Sequence, residues 1–221
     1  MNIIWGKIKI LLRYYSANGA IATAGYSFHM VINKVYSRLI LGNAHLIFDY
    51  TAKVEGAHNI EAHGAVTAGR HLWIAAIEHY GNQVMNPRIV FKGNFSASDF
   101  CHIGATNYIE FGDNVLLGSK VYITDHQHGR YSGERQSSPD TPPGERELTT
   151  DKSVIIGDNV WVGDNVVILP GVTIGSGCVI GANSVVSKSI PDNCIAVGVP
   201  ARVIKRYEFE MQEWVAAAEL E

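Results

Sequence analysis

Apolar residues in the C-terminal half of the chain recur every six positions, and few backbones can satisfy that spacing. Cut in register, residues 156–191 read IGDNVW, VGDNVV, ILPGVT, IGSGCV, IGANSV and VSKSIP. One column is Ile156, Val162, Ile168, Ile174, Ile180 and Val186. A second lies four residues further on: Val160, Val166, Val172, Cys178, Ser184 and Ile190. Neither the two-residue period of a strand nor the 3.6-residue period of a helix explains both columns. A short strand ending in a tight corner does: the β-branched residue points inward, and Gly, Asn or Asp turns the chain. Such strands stack into a solenoid around a narrow apolar axis.

The same rhythm runs earlier through Phe48, Val54, Ile60, Val66 and Leu72. After a break it continues through Phe91, Ala97, Ile103, Ile109, Val115 and Val121, with Phe111, Leu117 and Ile123 as companions. GDNV occurs three times, at 112–115, 157–160 and 163–166. A β-sandwich would show longer alternating strands and uneven loops instead.

Three regions leave the ladder. Residues 1–45 are expected to be helical or mixed, and 75–88 to form a loop between coils. Residues 129–151, with Pro139, Pro142 and Pro143, form a larger excursion outside the core, suited to reach over a groove or a neighbouring subunit. The domain reading is 1–45, a coil domain over 46–206, and a short helix over 207–221.

At 221 residues the chain is long enough for one domain with a real core. With a formal net charge of -3, nothing in the sequence suggests a basic nucleic-acid track. Cys101, Cys178 and Cys194 are odd in number, widely spaced and free of any CxxC pair, as expected of reduced thiols in a cytosolic protein. The opening MNIIWGKIKILLRYY is interrupted by Lys7, Lys9 and Arg13 and is too short and charged to span a bilayer. It reads as an amphipathic helix, packed on a neighbour or lying at a membrane face.

The text from Ile155 to Tyr207, IIGDNVWVGDNVVILPGVTIGSGCVIGANSVVSKSIPDNCIAVGVPARVIKRY, resembles the hexapeptide-repeat acyltransferases, in particular the galactoside and maltose O-acetyltransferases. TDHQHG followed by SPDTPPGERELTT is similar to the O-acetyltransferases of bacterial O-antigen and capsule. The resemblance implies an all-β solenoid, a left-handed parallel β-helix with three flat faces. It also implies homotrimers with active sites between subunits, a sugar or polysaccharide-precursor acceptor, and acetyl-CoA as donor with no metal. A cytoplasmic place, at the inner face of the membrane, follows from the same resemblance.

The stretch YITDHQHGRY, residues 122–131, marks the point where the repeat stops. His126 and His128 are two apart and would share a face on an extended strand. They could begin a metal site with Asp125 or His102, but no compact HxxxH or HExxH pattern supports it. Alternatively, one neutral imidazole takes the proton of an attacking hydroxyl and returns it to a leaving thiolate. The resemblance assigns that base to His126. Its orienting partner is left open between a backbone carbonyl and a carboxylate. Asp125 is adjacent, yet on an extended strand it would point the other way. Without a GxSxG elbow, direct attack is expected rather than an acyl-enzyme.

By the same resemblance the Asp164 amide stabilises the oxyanion and Trp161 lines the coenzyme channel. Ala182, Ser187 and Lys188 lie by the adenine and pantetheine, and Arg202 and Lys205 by the phosphates. Asn107, Asp125 and His128 are candidates for the acceptor side. A small soluble sugar or xenobiotic as acceptor, or a non-catalytic or metal-binding β-helix, stand as alternatives.

Overall fold

A computed structural model describes residues 2–39 and 41–217. The chain begins with α1, Asn2–Leu39, whose helical path is interrupted at Gly19. It then winds through three parallel sheets in strict rotation, first face to second to third and back. The first face holds Leu46–Phe48, Val66–Ala68, Phe95–Ala97, Val115–Leu117, Trp161–Val162, Val179–Ile180 and Cys194–Gly198. The second holds Lys53–Glu55, Trp73–Ala76, His102–Ala105, Tyr122–Thr124, Val167–Ile168 and Val185–Val186. The third holds Ile60–Ala62, Arg88–Phe91, Tyr108–Phe111, Ser153–Ile156 and Thr173–Ile174.

The six-residue period is the pitch of this winding. Ile156 pairs with Ile174, Val162 with Ile180 and Ile168 with Val186, so one circuit is eighteen residues, or three hexads. Both columns from 156 to 190 are buried along the axis, Ser184 included. Ser184 satisfies its hydroxyl by donating to the Gly181 carbonyl and accepting from the Gly198 amide.

Two of the three edges are tight. At each GDN corner the Asn adopts a left-handed conformation, as at Asn114, Asn159 and Asn165, which Asn tolerates better than most residues. The Asp carboxylate reaches back one coil: Asp113 accepts from the Asn94 amide at 2.7 Å, Asp158 from Asp113 at 2.7 Å and Asp164 from Ser119 at 2.6 Å. The preceding coil must be bare where that carboxylate lands. A Cβ on Gly118 would stand 2.3 Å from Asp164 Oδ1.

The third edge, between the second and third faces, is open. Both excursions leave the ladder there, the first between Trp73–Ala76 and Arg88–Phe91, the second between Tyr122–Thr124 and Ser153–Ile156. The first is shorter than the expected 75–88, because both ends extend strands. It folds as a small hairpin, His79–Tyr80 against Gln83–Val84.

The expected C-terminal helix over 207–221 is not found in its described part. Residues 201–216 form a hairpin instead, Ala201–Glu208 antiparallel to both Cys194–Gly198 and Glu213–Ala216. Tyr207 and Trp214 face each other across it, with ring centroids 5.3 Å apart. This aromatic cross-strand pair outweighs local helix propensity. Residues 218–221 lie outside the described residues.

Helix α1 covers the first coil. Asp49 bonds His29, and Asn33 Oδ1 accepts from the Tyr50 amide at 3.0 Å. Tyr36 donates to the Ala52 carbonyl at 3.1 Å, and Ser37 Oγ accepts from the Phe48 amide at 3.2 Å.

Candidate active site

The strand Tyr122–Thr124 ends where the open edge begins, so Asp125 and His126 sit on a corner rather than on an extended strand. This corrects the expectation that Asp125 points away. Its carboxylate is wholly buried, with Oδ1 3.0 Å from His126 Nδ1. Oδ1 also accepts from the Thr106 amide at 2.8 Å and the Thr106 hydroxyl at 3.1 Å, and Oδ2 from the Asn107 amide at 2.8 Å. Three donors from the neighbouring corner and the imidazole thus converge on a group that, when ionised, only accepts. The burial removes Asp125 from the acceptor contacts expected of it and makes it the partner of the imidazole.

Thr124 Oγ1 lies 2.9 Å from the same Nδ1 and donates to the His126 carbonyl at 3.2 Å. With Nδ1–H donated to Asp125 and Thr124, Nε2 is left as the basic nitrogen. His126 is only slightly exposed and borders a cleft of about 410 Å³. Trp73, Ile77, Tyr80, His102, Tyr122, Thr124, Gln127, His128, Leu148, Leu169 and Pro170 line this cleft with it.

The two excursions are bonded to each other where they border the cleft. Gln83 Nε2 donates to the Leu148 carbonyl at 3.0 Å and its Oε1 accepts the Leu148 amide at 2.7 Å. Tyr80 donates to the Gly144 carbonyl at 2.6 Å and lies 3.1 Å from His128 Nδ1. The longer excursion is closed at its base by Gly129 donating to Glu147 at 2.9 Å and Thr149 to Gln127 at 3.0 Å. It is a structured wall rather than a loose loop.

Asn107 does not reach the cleft. Its side-chain amide donates to the Lys152 carbonyl at 2.7 Å, tying the second excursion to the coil. His128 does reach it. Ser187 borders an adjoining hollow of about 210 Å³ with Arg130, Asp151 and Lys152, reached past Gln127, Leu169 and Pro170.

Trp161 and Asp164 are not among the cleft residues of one chain. Trp161 stands exposed on the first face between Leu116 and Val179, and Asp164 forms the corner from the first face to the second. The Asp164 side chain is occupied by Ser119, while its own amide has no acceptor among the described residues. Ala182 is exposed at the same edge. Lys188, Arg202 and Lys205 are exposed, and among the described residues none forms an ion pair.

The cysteines are all buried. Cys101 donates to the Gly118 carbonyl at 3.1 Å, and burial pushes its thiol up. Burial likewise pushes the Cys178 thiol up to about 11. Neither is a thiolate nucleophile in this setting. Among the described residues no group of three or more His, Cys, Asp or Glu side chains is placed to share a metal ion.

Trp73, His102 and Tyr122 were not assigned to the site from sequence, although a signal exists. Each stands between two inward residues, in LWI, CHI and VYI, so aligning the repeats exposes an outward aromatic column.

Against known proteins, the family described as Bacterial transferase hexapeptide (six repeats) matches residues 153–188. A putative lipopolysaccharide biosynthesis O-acetyl transferase, WbbJ of Escherichia coli K12, is 45% identical over 130 residues, 58% of this chain and 66% of that protein. The chain therefore spans about two thirds of that relative. The galactoside O-acetyltransferase of the same organism is 35% identical over 163 residues, 71% of each chain. A crystallised point mutant of AntD, an N-acyltransferase from Bacillus cereus in complex with dTDP and coenzyme A, shares the fold at a TM-score of 0.57 and 21% identity, covering 75% of this chain and 82% of its own. With the winding, the hexads and the galactoside relative in agreement, the chain belongs to the hexapeptide-repeat acyltransferase family.

Proposed function

We propose that the protein is an O-acetyltransferase that moves acetyl from acetyl-CoA to a sugar hydroxyl of a bacterial surface polysaccharide or its precursor. The observation that carries this reading is the Asp125–His126 pair, with Nδ1 held by a buried carboxylate. That arrangement leaves Nε2 to accept a proton from a hydroxyl bound in the cleft. Acetyl-CoA supplies the acetyl group as a thioester and departs as the thiol. His126 takes the hydroxyl proton as the new C–O bond forms and returns it to sulfur as the C–S bond breaks. Asp125 holds the tautomer and balances the imidazolium charge. The lipopolysaccharide-linked relative supports a polysaccharide precursor as acceptor. The galactoside relative supports a free sugar as the second reading.

Trp161, the Asp164 amide, Ala182, Ser187, Lys188, Arg202 and Lys205 belong to the donor side in this reading. Trp161 and Asp164 border the first face, away from the His126 cleft. A homotrimer with the left-handed coil of the family would bring them to a neighbour's His126. In this division, residues 46–206 carry the chemistry.

The N-terminal helix suits an anionic membrane face. Residues 1–48 carry five Lys or Arg and no acid, whereas the remainder carries thirteen against twenty-one. Ile21, Phe28, Val31, Val35 and Leu39 are exposed along one side of the helix. Sedimentation with anionic but not zwitterionic vesicles is expected, weakening as salt rises. Equal recovery with both would remove this placement.

The central test is thioester consumption. Purified protein is incubated with acetyl-CoA and defined oligosaccharides, thiol release is followed, and the new ester is located by NMR. His126→Ala should lower kcat by roughly 10²- to 10⁴-fold with the fold intact. Turnover retained in that variant, or absent from the wild type with every sugar, would sink the reading.

A further inference from the structure

His102 occupies the same outward position on its coil as Lys53, Trp73 and Tyr122 do on theirs, and the four are in register across the second face. Its ring lies flat on Trp73, with centroids 4.1 Å apart and planes 4° from parallel, and meets the edge of Tyr122 at 5.0 Å. Lys53 Nζ caps the other side of the indole, 4.3 Å from its centroid. The imidazole is therefore fixed by stacking. Its side chain makes no hydrogen bond among the described residues, and no buried side-chain nitrogen or oxygen there lacks a partner, so the ring nitrogens are open to the cleft.

The neighbouring Gly104 shows where this imidazole faces. A Cβ placed there would stand 3.3 Å from His126 Cε1 and 3.7 Å from His102 Nε2. The bare glycine thus opens a space that both rings border, and one small polyol can touch both. Burial, then the charges of His126 and Lys53, push the His102 imidazole below its ordinary value, against a smaller opposing pull from Glu55. At neutral pH it is uncharged, with one nitrogen donating and the other accepting.

We infer that His102 is a second imidazole of the acceptor site, holding the hydroxyl next to the one that His126 deprotonates, so that the acceptor must carry two neighbouring hydroxyls. This rests on the acetyl-transfer reading above and deepens it. His126 is tied through Nδ1 to Asp125 and works on a proton. His102 has no such tie and works as a hydrogen-bonding post. Bound at two adjacent oxygens, a pyranose loses its freedom to rotate, and only one of its hydroxyls stands before the base.

The test uses the best monosaccharide glycoside from the acceptor panel and its deoxy analogue, lacking the hydroxyl beside the acetylated one. For the unaltered protein, kcat/KM should fall roughly 10- to 100-fold with the analogue. His102→Phe keeps a ring to stack on Trp73 and removes both nitrogens. It should lower kcat/KM for the intact glycoside by a similar factor, chiefly through acceptor KM, leave the KM for acetyl-CoA unchanged, and show no further loss with the analogue. The two losses must not multiply, because they remove the two ends of one contact. An analogue as good as the parent on unaltered protein would overturn the inference, whatever the stability of the variant. So would a folded His102→Phe variant with wild-type acceptor kinetics, or losses that multiply. Failure of the parent reading looks different: no sugar then consumes acetyl-CoA at all.

Discussion

The three edges of the coil are built from the same hexads, yet two are tight and one is open. On the tight edges the corners are short, and at the three Gly-Asp-Asn turns a carboxylate caps the adjoining coil while Asn takes the left-handed step. On the open edge the corners vary. One carries a hairpin, one a long excursion, and one, Thr106–Asn107, offers its amides to Asp125. The Gly-Asp-Asn corners spend their carboxylates on the adjoining coil, and the Asp164 amide is left without an acceptor among the described residues. The open edge collects Asp125, His126, His128 and both excursions in one place. The fold is secured where the repeat is kept, and the candidate site gathers where it is given up.

Asp125→Asn should break that contrast most severely. An amide in place of the carboxylate donates where it should accept and favours the wrong tautomer of His126. The expected loss in kcat is roughly a thousandfold, read by steady-state kinetics. A loss below about tenfold would mean that Thr124 alone orients the ring. The mirror experiment is Gly112→Val at a tight corner. Its side chain would meet the Asp158 carboxylate. It should cost stability by about 2–4 kcal/mol in denaturant titration, leaving kcat of the folded fraction within a few-fold. A fully stable Gly112→Val variant would show that the tight edge is not what holds the coil.

Smaller effects sharpen the contrast. Lys188→Ala with Arg202→Ala should raise the KM for acetyl-CoA by roughly tenfold at low ionic strength, the difference shrinking at high salt, with the acceptor KM unchanged. An unmoved KM would take both cations out of the donor site. Gln83→Ala removes the paired amide contact with Leu148. It should raise the acceptor KM by about 3- to 10-fold and expose the 129–151 excursion to protease. The mildest test concerns the helix contact. Burial raises the Asp49 carboxyl, but the Thr51 hydroxyl and amide and then His29 outweigh it and bring it to about 2. A carboxylate held below its unfolded value contributes stability that is present above the ordinary range near 3.8 and is lost as pH falls toward 2. Asp49→Asn should flatten that part of the stability-versus-pH curve, and an unchanged curve would remove Asp49 from the acid response.

Most of the coil was legible because its signal is periodic. The inward columns from Ile156 to Ile190 are the buried axis, and each GDN is a corner. Asp125 was misread because alternation was carried one residue past the end of its strand. The C-terminal helix was misread because the pairing of Tyr207 with Trp214 is set by the hairpin and not by local propensity. The wall between Gln83 and Leu148 joins residues 65 apart in sequence, and no local pattern marks it. His102 had a signal in the outward column, but its part depends on Gly104 and on a ring orientation that only the stacking fixes.

Both excursions leave the second face and rejoin on the third, where the next hexad would have led in any case. They are detours that keep phase. An inserted hexad would rotate every later residue by one face and misplace Trp161, Asp164 and the basic hairpin together. A detour of any length shifts none of them, and lengthening a closed loop twofold costs only about 0.6 kcal/mol in chain entropy. The open edge is thus a place where the chain can be rewritten without recounting, so that, in the proposed division, acceptor preference is free to drift while the donor side stays in step.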